Sequence, residues 1–377
     1  LNSIYNCHRP NGYTEVIVVI NQGENCNTEI EQQNLKTLQD TNHWIKSHND
    51  DEKLQFHIIY ITDLPKKHAG VGLARKIGMD EAVRRFEHNP NGLIVCFDAD
   101  STVAPNYLVE LHKYYNQYPK SNGCSIHFEH PLEGNLPQEN YLGILNYELH
   151  LRYYIHALKF VNYKNAHQTI GSSMAVRSSV YQKQGGMNKR KAGEDFYFLH
   201  KIIPLGNFHE LTSTMVIPSP RVSDRVPFGT GKAINDFVQE QQGDYYETYN
   251  FSSFVDLKAF IDVVPSFYHK NERYDFDQVP LSVLQFFTEE ELIKSLNNIN
   301  KHSASFETFI NRFYSFFDGL KVLKYIHFCR DHFYPNTEIK EAIFAWNNRA
   351  KLLNITSVSE KKEILLLQRQ LDQSTND

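Results

Sequence analysis

The stretch LIVCFDADST, residues 93–102, decides the fold. An apolar run leads into Asp98 and Asp100, which are separated by one alanine. A short apolar run bounded by turn residues reads as a buried strand. On a strand, side chains at i and i+2 leave from the same face. The run therefore predicts two carboxylates pointing the same way from a strand end. Like charges held that close need a proton or a cation to relieve them. Hard carboxylate oxygens suit Mg²⁺ or Mn²⁺, ions that are commonly shared with substrate phosphates. The plainer reading of the same residues is a cap at Asp100, with Asp98 solvated.

Upstream, EVIVVI (15–20) is a β-branched run closed by NQGEN, a strand followed by a turn. Residues 28–47 carry Ile30, Leu35, Leu38 and Ile45 at helical spacing. LQFHIIYI (54–61) predicts the next strand and GLARKIGMDEAVRRF (72–86) the next helix. After the acidic pair, Pro105 suits a first helical position, and CSIHFEH (124–130) reads as a fourth strand. Strands alternating with helices predict right-handed crossovers and an α/β fold with a mostly parallel, Rossmann-type sheet. Ligands in such sheets bind beyond the carboxyl ends of the strands, and Asp98 and Asp100 lie at one such end.

Downstream comes a long aromatic helix over 140–161, whose Tyr141, Tyr147, Tyr153 and Tyr154 either pack or stack on a sugar. TIGSSMAVRSSVY (169–181) reads as a strand and turn. GEDFYFLHKI (193–202) opens a helix with Glu194 and Asp195 in its first turn, where the dipole favours acids. A carboxylate there that faces a substrate hydroxyl accepts its proton. Adjacent helical side chains project about 100° apart, so the two acids take different tasks. The segment 213–233 gives a strand and a loop bearing Arg221, Arg225 and Lys232, either a solvated basic loop or a clamp for a diphosphate. Gly70 and Gly72 precede a helix with Arg75 and Lys76 near its start, and a helix N-terminus attracts anions. Beyond residue 235 the pattern becomes helical and rich in Phe and Tyr. Two domains are expected, 1–234 and 235–377.

Of the 377 residues 41% are hydrophobic and 13% aromatic, enough for a substantial core. The net charge of −5 lacks the basic footprint of a nucleic-acid-binding protein. Five scattered cysteines without metal-ligand spacing read as reduced thiols, which suits the cytosol. No apolar run reaches the roughly 18 residues of a transmembrane helix, and no signal peptide is visible. The chain opens at Leu1, and its natural N-terminus is expected to lie upstream.

Taken in order, these pieces resemble the family 2 glycosyltransferases, which have a GT-A fold. The matching segments are EVIVVINQG (15–23), GVGLARKIGMDEA (70–82), FDADS (97–101), GSSMAVRSSVYQKQGGM (171–187) and GEDFYFLHKI (193–202). The resemblance implies a GT-A-like domain that moves one sugar from a nucleotide-diphosphate sugar to an acceptor hydroxyl, with inversion and the help of a divalent cation. Carried over, Asp98 sits toward the nucleotide, and Asp100 ligates the Mn²⁺ or Mg²⁺ with it. Asp195 is the base and Glu194 positions the acceptor. Arg75 matches the family's arginine-bearing helix, and the loop cations Arg221, Arg225 and Lys232, read above from their residue types, are the candidates for meeting the diphosphate. Asn21 stands where the family places an acid at a strand end, and the family's first strand is expected to be absent. No QxxRW follows the second acidic motif, which implies a single transfer rather than processive synthesis. The acceptor would be a carbohydrate or a lipid-linked sugar. That places the protein in the cytoplasm or at the inner membrane face, in cell-envelope polysaccharide biosynthesis. Two alternatives stand beside this. One is a GT-A-like module that binds a sugar nucleotide without turnover. The other takes FDADST as the DxDx[TV] signature of haloacid-dehalogenase phosphotransferases, with Asp98 as nucleophile and Asp100 as acid/base.

Overall fold

The computed structural model describes residues 1–48, 51–87, 89–223, 229–240, 243–269, 273–356 and 358–374. The chain forms two units. The first comprises Leu1–Ile144, Thr169–Gln239 and Asp372–Asp377, and the second Leu145–Gln168 and Glu240–Leu371.

Elements of the first unit follow in chain order: α1 (Asn2–Tyr5), β1 (Thr14–Gly23), α2 (Thr28–His48), β2 (Leu54–Leu64), α3 (Val71–Arg85), β3 (Leu93–Cys96), β4 (Thr102–Val103), α4 (Tyr107–Gln117), β5 (Gly123–Phe128), the start of α5 (Gln138–Phe160), β6 (Met174–Arg177), α6 (Ser178–Lys183), α7 (Glu194–Ile202), β7 (Phe208–Ile217) and α8 (Thr230–Glu240). Period-2 alternation along β3 sorts its side chains between two cores. Leu93 and Val95, with Phe97 just beyond, pack with Phe56, Leu111, Cys124 and Val216. Ile94 and Cys96 pack instead with Met79 of α3, Tyr181 of α6 and Phe198 of α7. Helices thus cover both faces of the strand, as the apolar run requires.

β1 and β2 pair in parallel, with Val16 opposite Phe56 and a register shift between Asn21 and Gly23. The larger sheet has the order β3-β6-β5-β7-β4. β6 is antiparallel to both β3 and β5, β4 is antiparallel to β7, and β5 and β7 run parallel. The fold is α/β, but this sheet is mixed rather than mostly parallel. β5 leads into α5, and the chain returns as β6 in the opposite sense, between β3 and β5. A helix between two strands therefore does not make that pair parallel here.

The second unit combines the rest of α5 with β8 (Glu247–Thr248), α9 (Phe251–Val263), α10 (Leu281–Phe287), α11 (Glu289–Lys301), α12 (Phe306–Phe316), α13 (Gly319–His332), β9 (Thr337–Glu338), α14 (Ile339–Ala350) and α15 (Lys361–Ser374), whose last residues belong to the first unit. Its core is aromatic, with Phe254, Phe260, Phe313, Phe317, Tyr325 and Trp346 fully buried. Tyr153 and Tyr154 of α5 pack against Phe254. These two serve the core. Buried charge is paired. Glu148 accepts from Arg152 at 2.9 Å and from Arg369 at 2.8 Å, and Lys361 donates to Asn146 at 2.8 Å and meets Glu338 at 3.0 Å.

All five cysteines are free, and four are buried. Burial pushes the Cys96 and Cys124 thiols up to about 12, so both act as small apolar groups. Among the described residues no helix is long and apolar enough to cross a membrane.

Candidate active site

β3 ends at Cys96, so strand alternation does not carry on to the two aspartates. Residues 98–101 form a turn in which the Ser101 N–H donates to the Asp98 carbonyl at 3.0 Å. The two carboxylates consequently part company, each meeting its own arginine.

Asp98 lies beside α3, where Arg75 Nη2 donates to its Oδ1 at 2.6 Å. The same guanidinium uses Nη1 to bond Glu194 Oε1, at the first residue of α7. Arg75 and Glu194 are 8% and 4% exposed at their side chains, Asp98 42%. One buried cation therefore ties the acid of residues 97–101 to the acid of residues 193–195. Burial works against the charge on Arg75, but Asp98 and Glu194 more than offset it and hold its pKa above the ordinary value.

Two close approaches set this geometry. Gly72, one turn before Arg75, packs on the backbone of Arg190, and its N–H donates to the Arg190 carbonyl at 3.2 Å. A Cβ at Gly72 would collide with that backbone. The N-terminus of α3 is thus partly capped by a carbonyl, where the sequence suggested an open anion site. Asn188 donates to the Glu194 carbonyl at 2.8 Å, holding the same loop to α7. Gly171 lies against both the Arg75 guanidinium and the Asp195 carboxylate, and a Cβ there would overlap them.

Glu194 and Asp195 diverge as adjacent helical residues should. Glu194 turns inward to Arg75. Burial raises its carboxyl to about 7, with Arg75 working against the rise and Asp195 adding to it. Asp195 is partly buried, and its Oδ1 accepts the Phe196 N–H at 2.7 Å. Burial raises its pKa too, opposed by Arg75.

Asp100 is drawn the other way. Arg221 Nε and Nη2 both reach its Oδ2 at 2.6 Å, with the two side chains 36% and 39% exposed. Ser101, in the same turn, has a buried hydroxyl with no hydrogen-bond partner among the described residues. No three of His, Cys, Asp and Glu converge to hold a metal ion among the described residues. With half-exposed Asp100 as its one protein ligand, a hard cation at this turn would have to take its other ligands from substrate oxygens and water rather than be caged by protein.

Two of the other sequence candidates have partners outside this cluster. Asn21 lies in β1, where its carbonyl accepts from Asn34 Nδ2 at 3.2 Å. Lys232 pairs with Asp236 along α8. Arg225 lies outside the described residues. Gly171 and Ser101 were not singled out from the sequence as site residues. For Gly171 the signal was its place in GSSMAV; for Ser101 it was adjacency to Asp100. No family model matches the chain, and no curated protein matches it.

Proposed function

We propose that the protein is a glycosyltransferase that moves one sugar from a nucleotide-diphosphate sugar to an acceptor hydroxyl with inversion. The observation that carries this reading is the Arg75 clamp. It unites Asp98 with Glu194 across 119 residues separating Arg75 from Glu194 in the chain, and leaves Asp195 as the neighbouring acid. The segments it joins are those on which the resemblance to the GT-A family rests.

In this reading the donor's nucleotide lies toward Asp98 and its diphosphate toward Asp100 and Arg221. The acceptor hydroxyl attacks the anomeric carbon as the bond from that carbon to the diphosphate oxygen breaks, and the electron pair leaves with the diphosphate. Asp195 takes the hydroxyl proton. Its raised proton affinity makes it a stronger base near neutral pH than an ordinary aspartate. Glu194, held inward by Arg75, fixes the start of α7 and so the direction of Asp195. A divalent cation held by Asp100 would supply charge neutralisation to the departing diphosphate. Acceptor class, cell-envelope role and a place at the inner membrane face belong to the same proposal and rest on the resemblance alone.

Thermal denaturation with UDP-, GDP- and dTDP-sugars, each with and without Mn²⁺, tests the reading. A ligand that binds only the native state raises the melting temperature by linkage. One nucleotide class should stabilise the protein, and CMP-sugars, with a single phosphate, should not. A protein indifferent to every diphosphate donor would contradict the proposal. Binding without sugar release would favour the module that binds but does not turn over.

A further inference from the structure

We infer that the acceptor carries phosphate groups and is received on a basic surface made by residues 65–70 and 188–193. The inference rests on the glycosyltransferase reading and deepens it by naming the chemistry of the acceptor.

The two segments read PKKHAG and NKRKAG. Together they hold Lys66, Lys67, Lys189, Arg190 and Lys191 and no acid, in a chain whose net charge is −5. Three contacts press them together. His68 Nδ1 donates to the Lys189 carbonyl at 3.4 Å, and the Gly72 N–H donates to the Arg190 carbonyl at 3.2 Å. Lys191 crosses Gly70 so closely that a Cβ there would come within 3.1 Å of the lysine Cα and Cγ. All five cations are exposed, and among the described residues none of them enters an ion pair. Elsewhere on α3 the cations are matched. Arg75 meets two acids, Lys76 meets Asp80, and Arg84 and Arg85 meet Glu81. The acids bordering the basic surface do not neutralise it. Glu24 accepts the Lys66 backbone N–H at 3.0 Å, and Glu194 turns inward to Arg75. Asp63 and Asp195 complete the acids next to the two segments.

Arg190 is held in place for a ligand. Its guanidinium lies over the Tyr197 ring, 3.7 Å from the centroid, and its backbone N–H donates to Asn188 Oδ1 at 3.1 Å. A stacked guanidinium keeps its in-plane N–H groups for an oxyanion. Residues 188–193 run directly into α7, whose second residue is Asp195. A hydroxyl that gives its proton to Asp195 must arrive at this end of the helix, so charge carried near that hydroxyl meets the basic surface. Several cations without counter-ions suit a ligand of dense negative charge. A phosphate monoester carries close to two charges near neutral pH, a carboxylate one. Such phosphate comes from a lipid-linked acceptor or from a soluble phosphorylated glycan.

Calorimetry with short-chain inorganic polyphosphate, and co-sedimentation with phosphatidylcholine vesicles containing phosphatidic acid, test the inference without turnover. The wild type should bind polyphosphate, and more weakly as salt is raised. The triple variant Lys66→Gln, Lys67→Gln, Lys189→Gln alters exposed side chains only. It should bind on the order of 100-fold more weakly, at about 5-fold for each cation lost. Arginine at the same three positions should keep the affinity, and both variants should keep the thermal shift given by the donor sugar nucleotide. Binding of the vesicles as well supports a lipid-linked acceptor; binding of polyphosphate alone supports a soluble one. A wild type that binds neither, or a glutamine variant that binds as well as the wild type, overturns the inference. So does equal affinity for polyglutamate, because the surface then does not select phosphate. Loss of the donor shift in the glutamine variant overturns it too, because the cations then serve the donor. If no donor stabilises the wild type while polyphosphate binds, the glycosyltransferase reading fails and the acceptor role falls with it. Failure of the inference alone shows a wild type that a donor stabilises and that ignores polyphosphate.

Discussion

Arg75 carries more of the site than either aspartate of the FDADS segment. It neutralises Asp98 and Glu194 together from a position that is itself buried. The consequence for Glu194 is a pH-dependent stability. Its carboxyl titrates near 4.5 when exposed and at about 7 in the fold. A raised carboxyl pKa means that the folded state holds its proton longer. The resulting stabilisation is full below the unfolded value and is lost as pH rises through the folded one. Comparing Glu194→Gln with the wild type by urea denaturation from pH 5 to 8 isolates this effect. The stability difference should move against the wild type with rising pH, at a slope of no more than about 1.4 kcal/mol per pH unit for one proton. A difference that stays flat, or moves the other way, would mean that Arg75 holds Glu194 ionised throughout. At this scale the sequence announced the residue types well. Asp98, Asp100, Glu194 and Asp195 stood out as acids at element ends. Their partners did not. Arg75 is remote in sequence from Glu194, and only packing of α3 on the loop before α7 reveals that one guanidinium serves both acids.

Helices and strands were largely legible where periodicity was strong. EVIVVI lies within β1, LQFHIIYI within β2, residues 72–86 follow α3, and the helix foreseen at 28–47 is α2. Direction was not legible. β6 is a four-residue apolar strand, and nothing in MAVR tells an antiparallel strand from a parallel one. Its neighbours on both sides had to be seen. Strand length misled as well. β3 ends four residues before Asp100, so a turn stands where a shared strand face was expected, and the paired-carboxylate geometry goes with it. Helix α3 offers the test at this scale. Gly72 keeps an ordinary backbone conformation, so the barrier to Gly72→Ala is steric rather than torsional. The added methyl forces α3 away from Arg190 and takes Arg75 with it. We expect a loss of about 1–3 kcal/mol, the usual cost of overpacking, together with weaker binding of whichever nucleotide stabilises the wild type. Both follow from the denaturation midpoint and a thermal shift. Full stability in this variant would show that the contact between α3 and the 188–191 loop is slack.

For the whole molecule, the chain is not cut once. The change of composition near residue 235 was visible, but the capture of 145–168 by the C-terminal unit was not, because α5 reads as one uninterrupted helix. That segment supplies Asn146 and Glu148, which meet the buried Lys361 and Arg369. A fragment comprising residues 240–374 should therefore lack cooperative unfolding, since removing one partner of a buried charge pair costs about 3–5 kcal/mol. A synthetic peptide of residues 145–168 should restore a melting transition by circular dichroism. A fragment that melts cooperatively without the peptide would show that α5 is dispensable to that unit.

The central claim is that Asp195 deprotonates an acceptor as a sugar leaves its diphosphate. It is tested most directly by release of nucleoside diphosphate from UDP-, GDP- and dTDP-sugars, in the presence of Mn²⁺ and a mixture of sugar acceptors, by wild type and Asp195→Asn. The account predicts release from one donor class by the wild type. It predicts a fall of about 10²–10⁴-fold in the variant, the range for loss of a general base, with the donor-induced thermal shift retained. Equal release by the two proteins, or none from any donor that binds, would contradict it.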